Sequence, residues 1–361
     1  MDSNEISDVR TQKEFRGITF SGFKKTEVRK ELLNNMYNSK IENSCYWACE
    51  LICAGHFMDL WEIILYFISR HIHLGNPKLP IYIDMRFQAF KEIVQNGYLG
   101  SELSMRNNDK IRKLFSEIIC VLCNSIKKHS FESIKIKDED YDLSSMTDRL
   151  KAHNVHYIQP VYQKEDPKEL FIALNELAFH VSNDSNNMVS ACYWIEWIIE
   201  FENRCKKRRE KCEGARRPHT FIQGKYQKDI IWIIWDVLLN EGSKKPKLHL
   251  KIIKSCLNLF GLRYTPNAKR KRKFLMYFIV SILTEQVNVA TSIINNPKQI
   301  ENVQNKINII YQQVKKNEKR PGTDYLFNNK ISKSNVEKTA EKLEKMKSIG
   351  NFVPRKDDDN S

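Results

Sequence analysis

The sequence predicts an all-α protein built as two helical domains, and three observations carry that expectation. Only 12 Gly and 10 Pro are spread over 361 residues, too few breaks for a turn-rich β architecture, while 41% hydrophobic residues with 14 Tyr and 18 Phe exceed what disordered chains carry. Apolar residues recur at helical spacing, as in Trp61, Ile64, Leu65 and Ile68. All six tryptophans fall in two similar segments with their downstream helices: residues 44–52 followed by Trp61, and residues 190–198 followed by Trp232 and Trp235. A duplicated unit of two Trp-bearing helices accounts for that distribution.

Taken in order, residues 1–24 are polar, with a short strand expected at 17–20, and Thr26 reads as the N-cap of a helix through Val28, Leu32, Leu33 and Met36. The first helical domain, 25–130, holds the first Trp pair. Its second helix ends at Gly75-Asn76-Pro77-Lys78-Leu79-Pro80, because proline lacks an amide donor and disfavours helix in the residue before it. Amphipathic runs at 83–94 and 111–126 complete that domain. Residues 131–165 turn rich in charge and Ser and read as a linker. The second helical domain, 166–315, opens at Asp166 before Pro167, runs through Leu170, Leu174 and Leu177 to the second Trp pair, and continues with 248–260, 274–294 and 300–314. It is interrupted by a basic insertion at 203–228. In the polar tail, 316–361, Ser334 and Glu337 make a capping box for one amphipathic helix. Its narrow stripe of Val336, Ala340, Leu343 and Met346 is a candidate docking face, in cis or for a partner.

Lys and Arg number 59 against 44 Asp and Glu, a surplus of +15 that attracts phosphate polymers and other acidic surfaces. Nine cysteines are an odd number without framework spacing, and the start Met1-Asp2-Ser3-Asn4-Glu5 is polar and acidic. Reduced thiols, no signal peptide and a cytosolic or nuclear setting are therefore expected. The longest apolar run, 275–283, is roughly half of what a bilayer requires, so no membrane span is expected.

The surplus charge is clustered. Within 203–228, Arg204, Lys206, Lys207, Arg208, Arg209, Lys211, Arg216, Arg217, Lys225 and Lys228 face only Glu210 and Glu213. A second run, Lys269-Arg270-Lys271-Arg272-Lys273, precedes an apolar helix. These cations are the candidate nucleic-acid contacts, each neutralised phosphate adding roughly 0.9 to the salt slope on duplex DNA. An acidic protein partner, a nuclear-import signal and plain solvation are the competing readings. No RNA-recognition, KH, zinc-finger or basic-zipper signature is present, so base-specific readout is not expected.

Little else points to chemistry. Cys205, Cys212 and His219 are spaced by seven and offer three zinc ligands with no fourth, yet seven is also the repeat of one helical face; no metal site is expected. Neighbouring cations would lower the pKa of those thiols. Cys120-x-x-Cys123 and Cys45, Cys49 and Cys53 lie in apolar helices and read as core thiols. His71-x-His73 has no carboxylate or thiol nearby. The acidic run 138–142 starts like a calcium loop, but Leu143 stands where Gly is needed and Arg149 where a closing Glu is needed. No hydrolase, dinucleotide or Walker signature occurs. Glu50 and Glu196, each just after a Trp, would make a catalytic pair only if they converged; helix-surface pairing is the preferred reading. A non-enzymatic protein without a cofactor is expected.

Cys45-Tyr46-Trp47-Ala48 with Leu51, Gly55, the apolar helix 60–68 and the turn Leu74-Gly75-Asn76-Pro77 resembles the helical collar region of clamp-loader-related AAA+ ATPases. That resemblance implies oligomerisation or scaffolding without nucleotide hydrolysis. The whole chain also resembles uncharacterised helical proteins of large nucleocytoplasmic DNA viruses, notably in Phe15-Arg16-Gly17-Ile18-Thr19-Phe20 and the Gly75–Pro80 turn. It implies a role in viral replication, packaging or the virion, in the cytoplasm or nucleus of an infected cell. The resulting expectation is a helical scaffold or adaptor that contacts nucleic acid through basic loops. The alternative is a structural or interaction protein whose basic patch binds an acidic partner, as a homo- or hetero-oligomer and without a membrane.

Overall fold

The helical periodicities become twelve α-helices, and no strand, among the described residues of the computed structural model, which are 4–98, 102–219 and 222–319. The chain is all-α. The strand expected at 17–20 is a turn with one isolated bridge, Ile18 to Lys24. Helix α1, Lys25–Tyr37, starts two residues earlier than expected, so Thr26 lies inside its first turn and Lys24 occupies the cap position. Helices α2, Ile41–Cys53, and α3, Phe57–Tyr66, carry the first Trp segments. A π-helical turn, Phe67–Ile72, extends α3 up to His73, whose φ of 46° lies in the left-handed region and ends it.

Gly75 is there for space. A Cβ on it would lie 2.2 Å from the carbonyl oxygen of Ile126, because an extended strap crosses at that point. The strap is fixed by Lys128 N–H on Ile72 O at 3.3 Å and Ser130 N–H on Arg70 O at 2.8 Å. Helix α4, Leu79–Gln95, then begins with Pro80 in its first turn, where the missing amide costs nothing. Helix α5, Asp109–Asn124, is capped by the Asn108 side chain accepting Ile111 N–H at 3.1 Å.

The stretch expected as a linker is clasped to the fold. Beyond the strap lie a 3-10 turn, Asp138–Tyr141, and the short helix α6, Leu143–Arg149. Trp197 Nε1 donates to Asp140 O at 3.1 Å, and the Tyr141 hydroxyl returns a bond to Trp197 O at 3.0 Å. Glu176 accepts the Lys151 and Ala152 amides at 3.0 Å each.

Six helices follow: α7, Phe171–Val181; α8, Met188–Arg208; α9, Ile231–Ser243; α10, Lys247–Phe260; α11, Ala268–Thr284; and α12, Pro297–Lys315. Every residue of α11 from Phe274 to Leu283 is buried. A helix apolar on all sides needs neighbours on all sides, and α3, α8, α9 and α10 supply them. This is the longest apolar run of the sequence; no helix among the described residues is long and apolar enough to cross a membrane.

That sharing corrects the two-domain expectation. Helix α3 packs on α11, α4 on α10, and α12 returns to α2 and α5, so helices from both halves belong to one compact unit comprising Met1–Ile6 and Arg10–Glu318. Ser7–Val9 and Lys319 fall outside that unit. The two Trp pairs also differ in their setting. Helices α2 and α3 pack on each other, whereas α8 and α9 both pack on α7. Trp61 sits among Phe87, Phe90 and Phe115 at 5.1, 5.7 and 5.3 Å between ring centres, and Trp232 and Trp235 pack on Phe260.

Candidate nucleic-acid interface

Helix α8 delivers the basic insertion. Asn187 caps its start by accepting Ser190 N–H at 3.0 Å, and after 21 helical residues Arg209 ends it with φ of 60°. Glu210 N–H bonds Cys205 O at 2.9 Å and Arg209 N–H bonds Lys206 O at 3.2 Å, a Schellman closure with arginine where glycine is usual. The loop beyond is pinned rather than solvated throughout. Gly214 N–H reaches Lys228 O at 2.8 Å, and Arg217 N–H reaches Gln227 O at 2.9 Å.

Arg217 is the main pin. Its guanidinium forks onto both oxygens of buried Asp166 and also donates to Asp236 at 2.5 Å. Burial pushes the Asp166 carboxyl up, but hydrogen bonds from Arg217 and from the Gln163 and Ala215 amides outweigh it and hold the group below its ordinary value. Burial dominates at Asp236, which is raised.

The second basic run forms the first turns of α11, and helical geometry divides it. Lys269 and Arg272, three apart on one face, turn inward and are 3% and 4% exposed. Lys269 pairs with Glu202 and with Asp229 Oδ1, the latter at 2.7 Å. Arg272 pairs with Glu62 and donates to the carbonyls of Phe260 and Leu262 at 2.6 and 2.7 Å. Arg270 and Lys271 turn outward.

Three of the expected nucleic-acid contacts are therefore corrected: Arg217, Lys269 and Arg272 are interior ions whose charge is spent on buried or half-buried carboxylates. Two more are half-buried and engaged. Arg204 lies over the Tyr141 ring at 4.2 Å and pairs with Asp138, and Lys273 pairs with Glu196 at 2.7 Å. The exposed remainder is Lys206, Lys207, Arg208, Arg209, Lys211, Arg216, Arg270 and Lys271. Glu202, which the sequence did not single out, joins the two runs: it accepts Lys206 at 2.6 Å from its own helix and Lys269 from α11. The end of α8 and the start of α11 thus stand side by side, with Arg270 on Glu200 at 3.2 Å as a further tie.

A second set of cations escaped the sequence reading. In the strap, Ile134 and Ile136 are partly buried against the core, while Lys135 and Lys137 between and after them are exposed. The period-two alternation Ser133-Ile134-Lys135-Ile136-Lys137 is the signal that would have found them.

The other candidates disperse. Glu50 is buried on Thr19 Oγ1 and the Ser21 amide, both at 2.9 Å, whereas Glu196 accepts the Tyr277 hydroxyl at 2.6 Å; each is held by its own partners. Cys205 and Cys212 meet each other, but His219 lies beside Asp236 at 3.8 Å and against the Trp232 ring. Among the described residues no group of three or more His, Cys, Asp or Glu is placed to hold a metal ion. The expected lowering of the two thiol pKa values is reversed. Burial pushes both up, and Cys205 and Glu202 push Cys212 further. Val336, Ala340, Leu343 and Met346 lie outside the described residues. No family model, curated protein or solved structure matches the chain.

Proposed function

We propose that this chain is a non-enzymatic helical scaffold that holds nucleic acid by its phosphates, through the exposed cations at the junction of α8 and α11. The observation that carries this reading is the junction itself. Glu202 bridges the two helices by accepting Lys206 from the first run and Lys269 from the second, and the exposed Lys207, Arg208, Arg209 and Lys211 follow the one while Arg270 and Lys271 follow the other. Interior carboxylates neutralise the inward-facing cations and leave the outward ones in surplus. Such a patch releases counterions from a polyanion without reading bases, so binding is expected to be sequence-independent and strongly salt-dependent. A viral replication or packaging setting suits a scaffold of this kind.

The test is binding of labelled mixed-sequence DNA and RNA across a salt series, comparing the intact protein with Lys207→Ala/Arg208→Ala/Arg209→Gly. The variant should lose about 3 from the salt slope on duplex, at roughly 0.9 per phosphate contact. Absence of salt-sensitive binding in the intact protein would overturn the nucleic-acid reading and turn the search toward an acidic protein partner.

A further inference from the structure

We propose that a single nucleic-acid strand runs in a groove along α8, an inference that rests on the reading above and narrows it to one substrate class. Three depressions joined by shared lining residues follow one another, two of them against α8 and one beyond it. The first, about 450 Å³, lies between α1, α3 and α11 and is lined by Arg29, Arg270 and Lys271. A second, about 390 Å³, lies between the strap, α8 and α11 and shares Arg270 with the first. The third, about 790 Å³, opens at the N-terminal end of α8 and shares Ile134 and Lys135 with the second. Lys137, Arg149 and Lys151 complete its cations.

Charge along the groove is unbalanced once local pairs are removed. Asp59 is engaged by Lys25 at 2.6 Å, Glu62 by Arg272, Glu196 by Lys273, Glu200 by Arg270, and Asp140 by Arg149 at 3.5 Å. Among the described residues no carboxylate pairs with Arg29, Lys135, Lys137, Lys151 or Lys271, and only Glu139 and Asp148 line the groove without an ion pair. Two of the arginines are held in place by aromatic rings: Arg29 lies over Tyr66 at 5.0 Å and Arg149 over Tyr193 at 4.1 Å. Arg29, which meets no carboxylate among the described residues, is the fork left for phosphate oxygens, while Arg149 is already engaged by Asp140. Depressions of a few hundred cubic ångströms admit one backbone, whereas a duplex holds its two backbones apart across a major groove about 12 Å wide. The part of α8 that lines the second and third depressions, residues 189–200, is about 18 Å long at 1.5 Å per residue, and the first depression carries the path beyond it to α1 and α3.

Binding of oligothymidine strands of about 6, 12 and 24 nucleotides, set against a mixed-sequence duplex, tests the path with the full-length protein. Affinity should rise between the two shorter strands and level off beyond. The variant Lys135→Ala/Lys151→Ala/Lys271→Ala removes three exposed charges, so circular dichroism and thermal unfolding should be unchanged. On single strands it should bind about tenfold more weakly or worse, with about 2 lost from the salt slope at roughly 0.7 per phosphate. If this variant binds strands as the intact protein does while Lys207→Ala/Arg208→Ala/Arg209→Gly loses binding, the groove is overturned and the junction patch stands. If the intact protein binds neither strands nor duplex, both readings fall.

Discussion

Arg217 grips Asp166 through both terminal nitrogens, Nη1 on Oδ1 at 2.8 Å and Nη2 on Oδ2 at 2.7 Å, across 51 positions of sequence. The fork ties the insertion to the start of α7, and the bond from Nε to Asp236 ties it to α9. Arg217→Ala would leave two carboxylates facing each other without a counter-charge, a loss of about 3–5 kcal/mol for a broken buried pair. Lys at this position should restore little, since an ammonium cannot fork onto a carboxylate. Urea unfolding at neutral pH measures both. Because Asp166 is held below its ordinary value, its contribution is present above the unfolded pKa and is lost as pH falls through the lowered folded one.

Arg209 spends conformational energy to end α8. A non-glycine residue in the left-handed region costs roughly 1–2 kcal/mol, and glycine carries no such penalty. Arg209→Gly should therefore raise the melting temperature while removing one cation from the patch. Stability and duplex affinity are expected to move in opposite directions in this single variant, read by thermal unfolding and by the salt slope.

His73 makes stability fall in weak acid. Burial and then Lys128 lower its pKa to about 4, against a hydrogen bond to the backbone of Tyr277 that raises it. The folded state keeps the ring neutral, while the unfolded chain takes up a proton near pH 6.5. Stability from this group is whole above pH 6.5, declines as pH falls, and levels off below about 4, a loss of about 3 kcal/mol in all. His71 is also lowered to about 4, by burial, His129 and Arg70, but is half-exposed and contributes less. Asparagine supplies a polar side chain that does not titrate at position 73. Unfolding curves of His73→Asn should accordingly be flatter between pH 6.5 and 4 than those of the unmodified protein.

Gly75 admits no side chain, since a Cβ would meet the Ile126 carbonyl oxygen at 2.2 Å and that oxygen belongs to backbone. Gly75→Ala must displace the strap and should cost about 1–3 kcal/mol, the usual range for overpacking. Faster amide exchange at Lys128 and Ser130, whose N–H groups hold the strap, would locate the damage.

The helices and the inward faces of the Trp segments were legible from periodicity alone, since burial of an apolar stripe is a local property. The run 269–273 shows where legibility stopped. Five cations in a row look like a solvated start, yet Lys269 and Arg272 continue the inward face of α11 at three-residue spacing. Their acidic partners Glu202, Asp229 and Glu62 come from 40 to 210 positions away, and no local pattern announces a pairing of that range. The domain boundary failed for a similar reason. A charged, Ser-rich stretch is the composition of a linker, and only the tertiary bonds of Asp140, Tyr141 and Lys151 turn it into a clasp.

Helix α11 begins at residue 268, and α12 at residue 297. On the ribosome, then, α3 and α4 emerge long before the helices that cover them. The face that α3 turns to α11 and the face that α4 turns to α10 wait until residues 247–284 have been made. Until α10 and α11 leave the exit tunnel, those faces lack their native cover. Release of the last third of the chain is what allows the first third to finish folding.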